Sequence, residues 1–120
     1  MTTTGTKLFD LSFLEQMDDQ AFIIQVINLY LQDTASDLET MRKDFSAGDL
    51  DSVYKTAHKL KSSTGMLQAN GLFGILEKTE KTAKAGSLTG ELTGLMESGR
   101  AEFEVLKLAL EAHLQQLPAA

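Results

Sequence analysis

The sequence predicts an all-α protein: an antiparallel four-helix bundle in up-down order, with a short N-terminal capping helix. Three observations carry that prediction. The one proline, Pro118, stands near the end, so residues 8 to 117 contain no proline break. The strict apolar–polar alternation of a half-buried strand is absent. Apolar residues instead recur every three or four positions, in two long segments, two intermediate ones and a short leading one. With 120 residues and 42% hydrophobic content, the chain suits a single domain over 8–117. Residues 1–7 read as a disordered lead-in.

The first helix is expected over 10–17, capped by Asp10 or Ser12. Ser12 and Glu15 have capping-box spacing, and Leu11 and Leu14 would seal one end of the bundle. The second starts near Asp18 or Asp19 and persists to Ala47, with Gly48 as the residue that ends it. Ile23, Ile27, Tyr30, Leu31, Leu38, Met41 and Phe45 trace its apolar line. Thr34–Ser36 are weak helix formers and mark a possible break. Residues 22–31 carry more apolar side chains than one stripe needs, so this segment is either buried on two sides or docks a partner; burial is the expectation.

The third helix opens at Asp49 and runs to about Leu67. Leu50, Val53, Ala57, Leu60, Thr64 and Leu67 share its buried face. An interior glycine costs roughly 1 kcal/mol against alanine, so Gly65 either ends the helix early or keeps the surface beside it open. Asn70-Gly71 marks a junction. The fourth helix covers about 70–85, with Leu72, Ile75, Leu76 and Thr79 inward. The fifth covers about 88–116 on Leu88, Leu92, Leu95, Gly99, Phe103, Leu106, Leu110 and Leu114.

The formal net charge of −6 argues against a nucleic-acid-binding domain. Without cysteine there is no disulfide framework and no thiolate metal site, which fits a reducing compartment. No apolar run approaches the ~18 residues of a membrane span. The N-terminus lacks the basic-then-apolar order of a signal peptide. A cytoplasmic location is expected.

Chemistry converges on the third helix. His58 lies about 100° around from Ala57, at the edge of the buried stripe, with its ring facing water. Tyr54, Lys61, Ser62 and Gly65 project on the same side. Lys55, Lys59 and Lys61 surround it without an intervening carboxylate, which points to an anionic ligand or acidic partner, or else to a solvated face. His58 and His113 belong to no metal-binding pair, and no glycine-rich phosphate loop occurs. Ser62 and Ser63 have no acid placed to complete a triad. What remains is an exposed imidazole with a nucleophilic nitrogen available near neutral pH. A phosphoryl group on it could be screened by Lys61 and Lys59 and could take a hydroxyl from Ser62. Gly65 would leave room for a partner's loop.

Ala57-His58-Lys59-Leu60-Lys61-Ser62-Ser63 resembles the signature of histidine-containing phosphotransfer (HPt) domains, commonly A-H-x-L-K-G-S followed by small residues and L-G-A. Leu67 and Ala69 match the ends of that continuation, and Phe9-Asp10 with Leu14, Phe22 to Leu31, Gly48-Asp49 and Leu72…Leu76-Glu77 fit further along. The resemblance implies that His58 is the phosphoacceptor, that Lys61 sits by the phosphoryl group, and that Gly65 permits docking. Ser62 stands where the family has glycine, a change that should preserve access. Gln68 replaces the glycine before Ala69 and should alter the end of the third helix rather than the chemistry. Family members often set a polar side chain of the second helix against the other imidazole nitrogen, a place open to Gln32 or Asp33. The family's mechanism implies response-regulator receiver domains and a hybrid sensor histidine kinase as partners, with Mg²⁺ supplied by the receiver. The chain would be a phosphocarrier rather than an ATP-dependent enzyme, and a monomer. Two other readings are an adaptor bundle that binds a receiver without phosphoryl transfer, and the dimerisation unit of a histidine kinase. The chain could be free-standing or a piece of a larger hybrid kinase.

Overall fold

The computed structural model describes residues 8–86 and 90–117. The lead-in over 1–7 and Leu88 lie outside the described residues. Five helices follow in order: α1 (Ser12–Glu15), α2 (Gln20–Ser46), α3 (Leu50–Met66), α4 (Asn70–Lys84) and α5 (Gly90–Gln116). No strand occurs among the described residues. Each of the last four packs on its neighbour in the chain, and α5 returns against α2 to close the bundle, with α1 lying over α2. No helix among the described residues is long and apolar enough to cross a membrane.

The lid is shorter than its expected 10–17 span. Leu14 is buried and holds α1 down, but the helix is one turn. The N-cap is Leu11, which offers no capping side chain, rather than Asp10 or Ser12; Asp10, one residue earlier, accepts the Ser12 backbone N–H on Oδ1 at 2.8 Å, and the Ser12 hydroxyl donates to the same oxygen. Ser12 is therefore already helical, and the Ser12–Glu15 capping box does not form. Asp18, at φ 50°, turns the chain out of α1, and Asp19 caps α2 by accepting the Phe22 N–H at 3.0 Å.

Helix α2 runs unbroken through Thr34–Ser36. Thr34 is buried, so core packing outweighs its weak propensity. The surplus apolar residues divide between two faces. Ile23, Ile27, Tyr30 and Leu31 are buried, whereas Phe22 and Leu29 stay exposed on a line with half-buried Val26. Gly48 ends α2 at φ 77°, and Asp49 caps α3 by accepting the Ser52 N–H at 3.1 Å and its hydroxyl at 2.8 Å.

Val53, Ala57, Leu60, Thr64 and Leu67 form the buried stripe of α3, against Leu72 and Leu76 of α4 and Phe103, Leu106 and Leu110 of α5 in one core. The polar members of that core are paired. Tyr30 Oη lies 2.7 Å from Thr64 Oγ1, and burial pushes the Tyr30 phenol up, against the lowering effect of bonds to Thr64 and Thr34. The second histidine, His113, stands edge-on to Phe9 at 5.7 Å, where the segment before the lid meets α5.

Candidate functional site

His58 sits on α3 with its side chain 60% exposed. The stripe through Val53, Ala57, Leu60 and Thr64 fixes the rotation of the helix, and this rotation sets His58 at the rim facing α4. From α4, Glu80 reaches back, and its Oε2 lies 2.6 Å from His58 Nδ1. The other oxygen, Oε1, lies 2.7 Å from Lys61 Nζ. Tyr54, one turn before His58, holds its ring 6.3 Å away, and Lys84 of α4 places its ammonium 5.6 Å from the centre of the Tyr54 ring. The site thus lies in the cleft between α3 and α4.

Glu80 is 8% exposed, a burial that carboxylates tolerate only with partners. Hydrogen bonding to Lys61 holds its carboxyl below the ordinary value against the opposing effect of desolvation, with His58 adding to the lowering. Glu80 in turn holds the Lys61 ammonium above its ordinary value. An ionised carboxylate can only accept hydrogen bonds. The imidazole must therefore place its proton on Nδ1 and donate it to Glu80, which leaves the lone pair of the neutral ring on Nε2. One nitrogen is committed to the fold, and the other is free to act as a nucleophile.

The basic neighbourhood read from the sequence is neutralised, one lysine at a time. Lys55 pairs with Asp51 on its own helix at 2.9 Å, Lys59 with Asp37 of α2 at 2.8 Å, and Lys61 with Glu80 of α4. The Lys59 contact is ionic rather than a well-aligned hydrogen bond, since buried Asp37 Oδ2 receives none of good geometry. For Lys59 and Lys61 the counter-charge comes from carboxylates distant in sequence, whereas Asp51 stands one turn before Lys55.

Gln32 and Asp33 do not hold the imidazole. Both are exposed, and the Nδ1 partner comes from α4 instead of α2. Asp33 lines a groove of about 230 Å³ between α2 and α3, with Val26, Leu29, Lys59, Ser63 and Met66 among its walls. Ser62 is exposed and turns its hydroxyl onto the His58 carbonyl at 3.4 Å. Gly65 does not end α3, and the position its side chain would take lies 3.4 Å from the Phe73 ring, so it faces α4 rather than open space beside His58. Gln68 occupies the left-handed residue after α3, at φ 50°. Glu80 is the residue that sequence reasoning missed. It lies four residues after Leu76 and three before Ala83, on the buried stripe of α4, and a carboxylate on such a stripe is a signal in itself. No group of three or more histidine, cysteine, aspartate or glutamate residues able to hold a metal ion occurs among the described residues.

No curated protein sequence matches the chain significantly. Among solved structures, the fold is similar to that of histidine-containing phosphotransfer protein B (HptB) from Pseudomonas aeruginosa PAO1, with a TM-score of 0.87 and 20% identity, covering 95% of this chain and 100% of that one. A family model described as Hpt domain matches residues 25–120, a span that includes every residue of the cleft. The chain belongs to the Hpt domain family, whose members are phosphocarriers of phosphorelays rather than kinases.

Proposed function

We propose that the protein accepts a phosphoryl group on Nε2 of His58 from the aspartyl phosphate of one receiver domain and passes it to the aspartate of another. The observation that supports this reading most directly is the Nδ1–Glu80 bond beneath an exposed ring, which presents Nε2 to solvent as the lone-pair nitrogen. Lys61, one turn along, is the cation placed to accompany the phosphoryl group, with Lys59 and Ser62 at the margin. The receivers are those of response regulators and of a hybrid sensor histidine kinase, and they bring the Mg²⁺. This domain contributes a positioned nucleophile and a surface, acting as a monomer in the cytoplasm. The exposed Phe22 and Leu29, and the groove bounded by Val26, Lys59 and Met66, offer apolar surface beside the site for a receiver to cover.

The test is phosphotransfer from a panel of phosphorylated receiver domains to wild type, His58→Gln and Lys61→Ala. Wild type gains label that is acid-labile and alkali-stable, Lys61→Ala gains it more slowly, and His58→Gln gains none. Label retained in His58→Gln would sink the assignment. Binding of receivers without any transfer would establish an adaptor instead.

A further inference from the structure

Helix α5 presents an outer face that the bundle leaves bare. Its inner stripe, Leu92, Gly99, Phe103, Leu106 and Leu110, is buried. A line of positions turned away from that stripe runs through Ser98, Ala101, Val105, Leu108 and Ala112. All five are exposed, and none is charged. Leu108, at 67%, is the most exposed large hydrophobic side chain among the described residues, and Val105, on the same line, stands at 49%. Single exposed apolar residues are ordinary, but the outermost line of a solvated helix is where polar and charged side chains usually collect. On α5 the charges stand to the sides instead.

The spacing of the bare line is regular. Its steps run three, four, three, four from Ser98 to Ala112, the repeat of a helix that packs against another helix. Glu97, Glu104 and Glu111 follow one edge of it at seven-residue intervals. The ion pairs among the described residues lie on α2, α3 and α4, so none of these three glutamates has a cation within salt-bridge distance. Arg100 stands behind them in the wall of a groove shared with Glu39 and Arg42 of α2, and half-buried Lys107 lies on the same side. The other edge carries Glu102, whose carboxylate packs over Gly71 at the start of α4, and the uncharged Ala109 and Gln116.

We infer that this face docks a helix of another protein, one with an aliphatic seam and a row of lysine or arginine that meets Glu97, Glu104 and Glu111. The charge pattern selects that occupant over a second copy of this chain. In antiparallel order, two copies would set their glutamate rows against each other. In parallel order, each row would face Glu102, Ala109 and Gln116 of the other, none of which is a cation. The place of α5 in the bundle adds a consequence. Its inner stripe packs on α2 and α4, and its outer face holds none of the residues around His58. A helix seated there leaves the imidazole accessible, so the domain can be tethered and still meet a receiver.

The test titrates isotopically labelled protein with a synthetic amphipathic helix that has leucine at each d position, valine at each a position and lysine at e and g. The lysines keep this peptide from pairing with itself. A second peptide carries glutamate in their place. The lysine peptide is expected to bind and to shift the amide resonances between Ser98 and Ala112, and the glutamate peptide is not. Leu108→Glu should weaken binding about tenfold or more, and added salt should weaken it in wild type. Glu97→Lys, Glu104→Lys and Glu111→Lys together should transfer binding to the glutamate peptide. Val105→Glu is the second variant on the seam, and circular dichroism checks the folding of each. Absence of binding, shifts confined to another helix, or wild-type affinity in Leu108→Glu and Val105→Glu overturns the inference. A wild-type dimer in sedimentation that Leu108→Glu dissolves also overturns it, and gives the face to a second copy. Phosphoryl acceptance from receivers is read separately and stays at the wild-type rate in Leu108→Glu, so loss of the relay reading leaves this one standing.

Discussion

Helix α3 sends one lysine to each neighbouring helix, and the two contacts are built differently. Lys61 turns into the α3–α4 cleft, where its side chain is 23% exposed, and shares a buried carboxylate with the imidazole. Lys59, two residues earlier, reaches over the surface to Asp37 of α2 with its side chain 67% exposed. Water screens the second pair and is largely kept from the first. On the α2 side, a neutral buried hydrogen bond also joins the two helices, Tyr30 to Thr64. Identical residue types in one heptad thus do unlike things: one lysine shares a buried carboxylate with the imidazole, and the other closes the rim of a groove.

Changes on either side sharpen this contrast. The largest effect on stability is expected from Tyr30→Phe. It leaves the buried Thr64 hydroxyl without its partner, at a cost of about 1–2 kcal/mol, while phosphoryl acceptance stays at the wild-type rate. Denaturant unfolding beside a transfer assay checks both parts, and a large loss of transfer would mean that the two sides of α3 are coupled. A smaller effect of opposite sign is expected at the turn joining α3 to α4. Gln68 sits at φ 50°, where an L side chain is strained, so Gln68→Gly should stabilise by about 1 kcal/mol, read as a higher denaturant midpoint. The smallest belongs to Lys55→Ala. Its pair with Asp51 is fully solvated along one helix, so neither the melting temperature nor the transfer rate should move measurably.

The helices were legible because each carries its own period and stop signals. Gly48 and Asp49 end one helix and begin the next as their chemistry requires. The lid was overextended because Asp10 offers its carboxylate to Ser12, and a cap one or two residues off is invisible to spacing. The possible break at Thr34 was an inference from propensity, which a buried position overrides. At the site, the prominence of His58 and Lys61 came from a contiguous string of residues. Their shared partner did not, since Glu80 lies 22 residues beyond His58 and meets it only once α3 and α4 are packed. The same limit explains why Lys59 and Lys61 looked unpaired, while the partner of Lys55, Asp51, lay within reach one turn earlier. Counter-charges on α2 and α4 are beyond the reach of any local reading.

Tyr54, His58, Lys61, Glu80 and Lys84 all fall within α3, α4 and the turn between them. The reactive apparatus is therefore one uninterrupted stretch of chain, a helical hairpin, while the exposed Phe22 and Leu29 stand on a different segment altogether. Substitutions on the outer face of α2 leave every residue that touches the imidazole in place. The contacts of the imidazole and the apolar side chains exposed on α2 are carried on separate pieces of sequence, so either set can change while the other stays as it is.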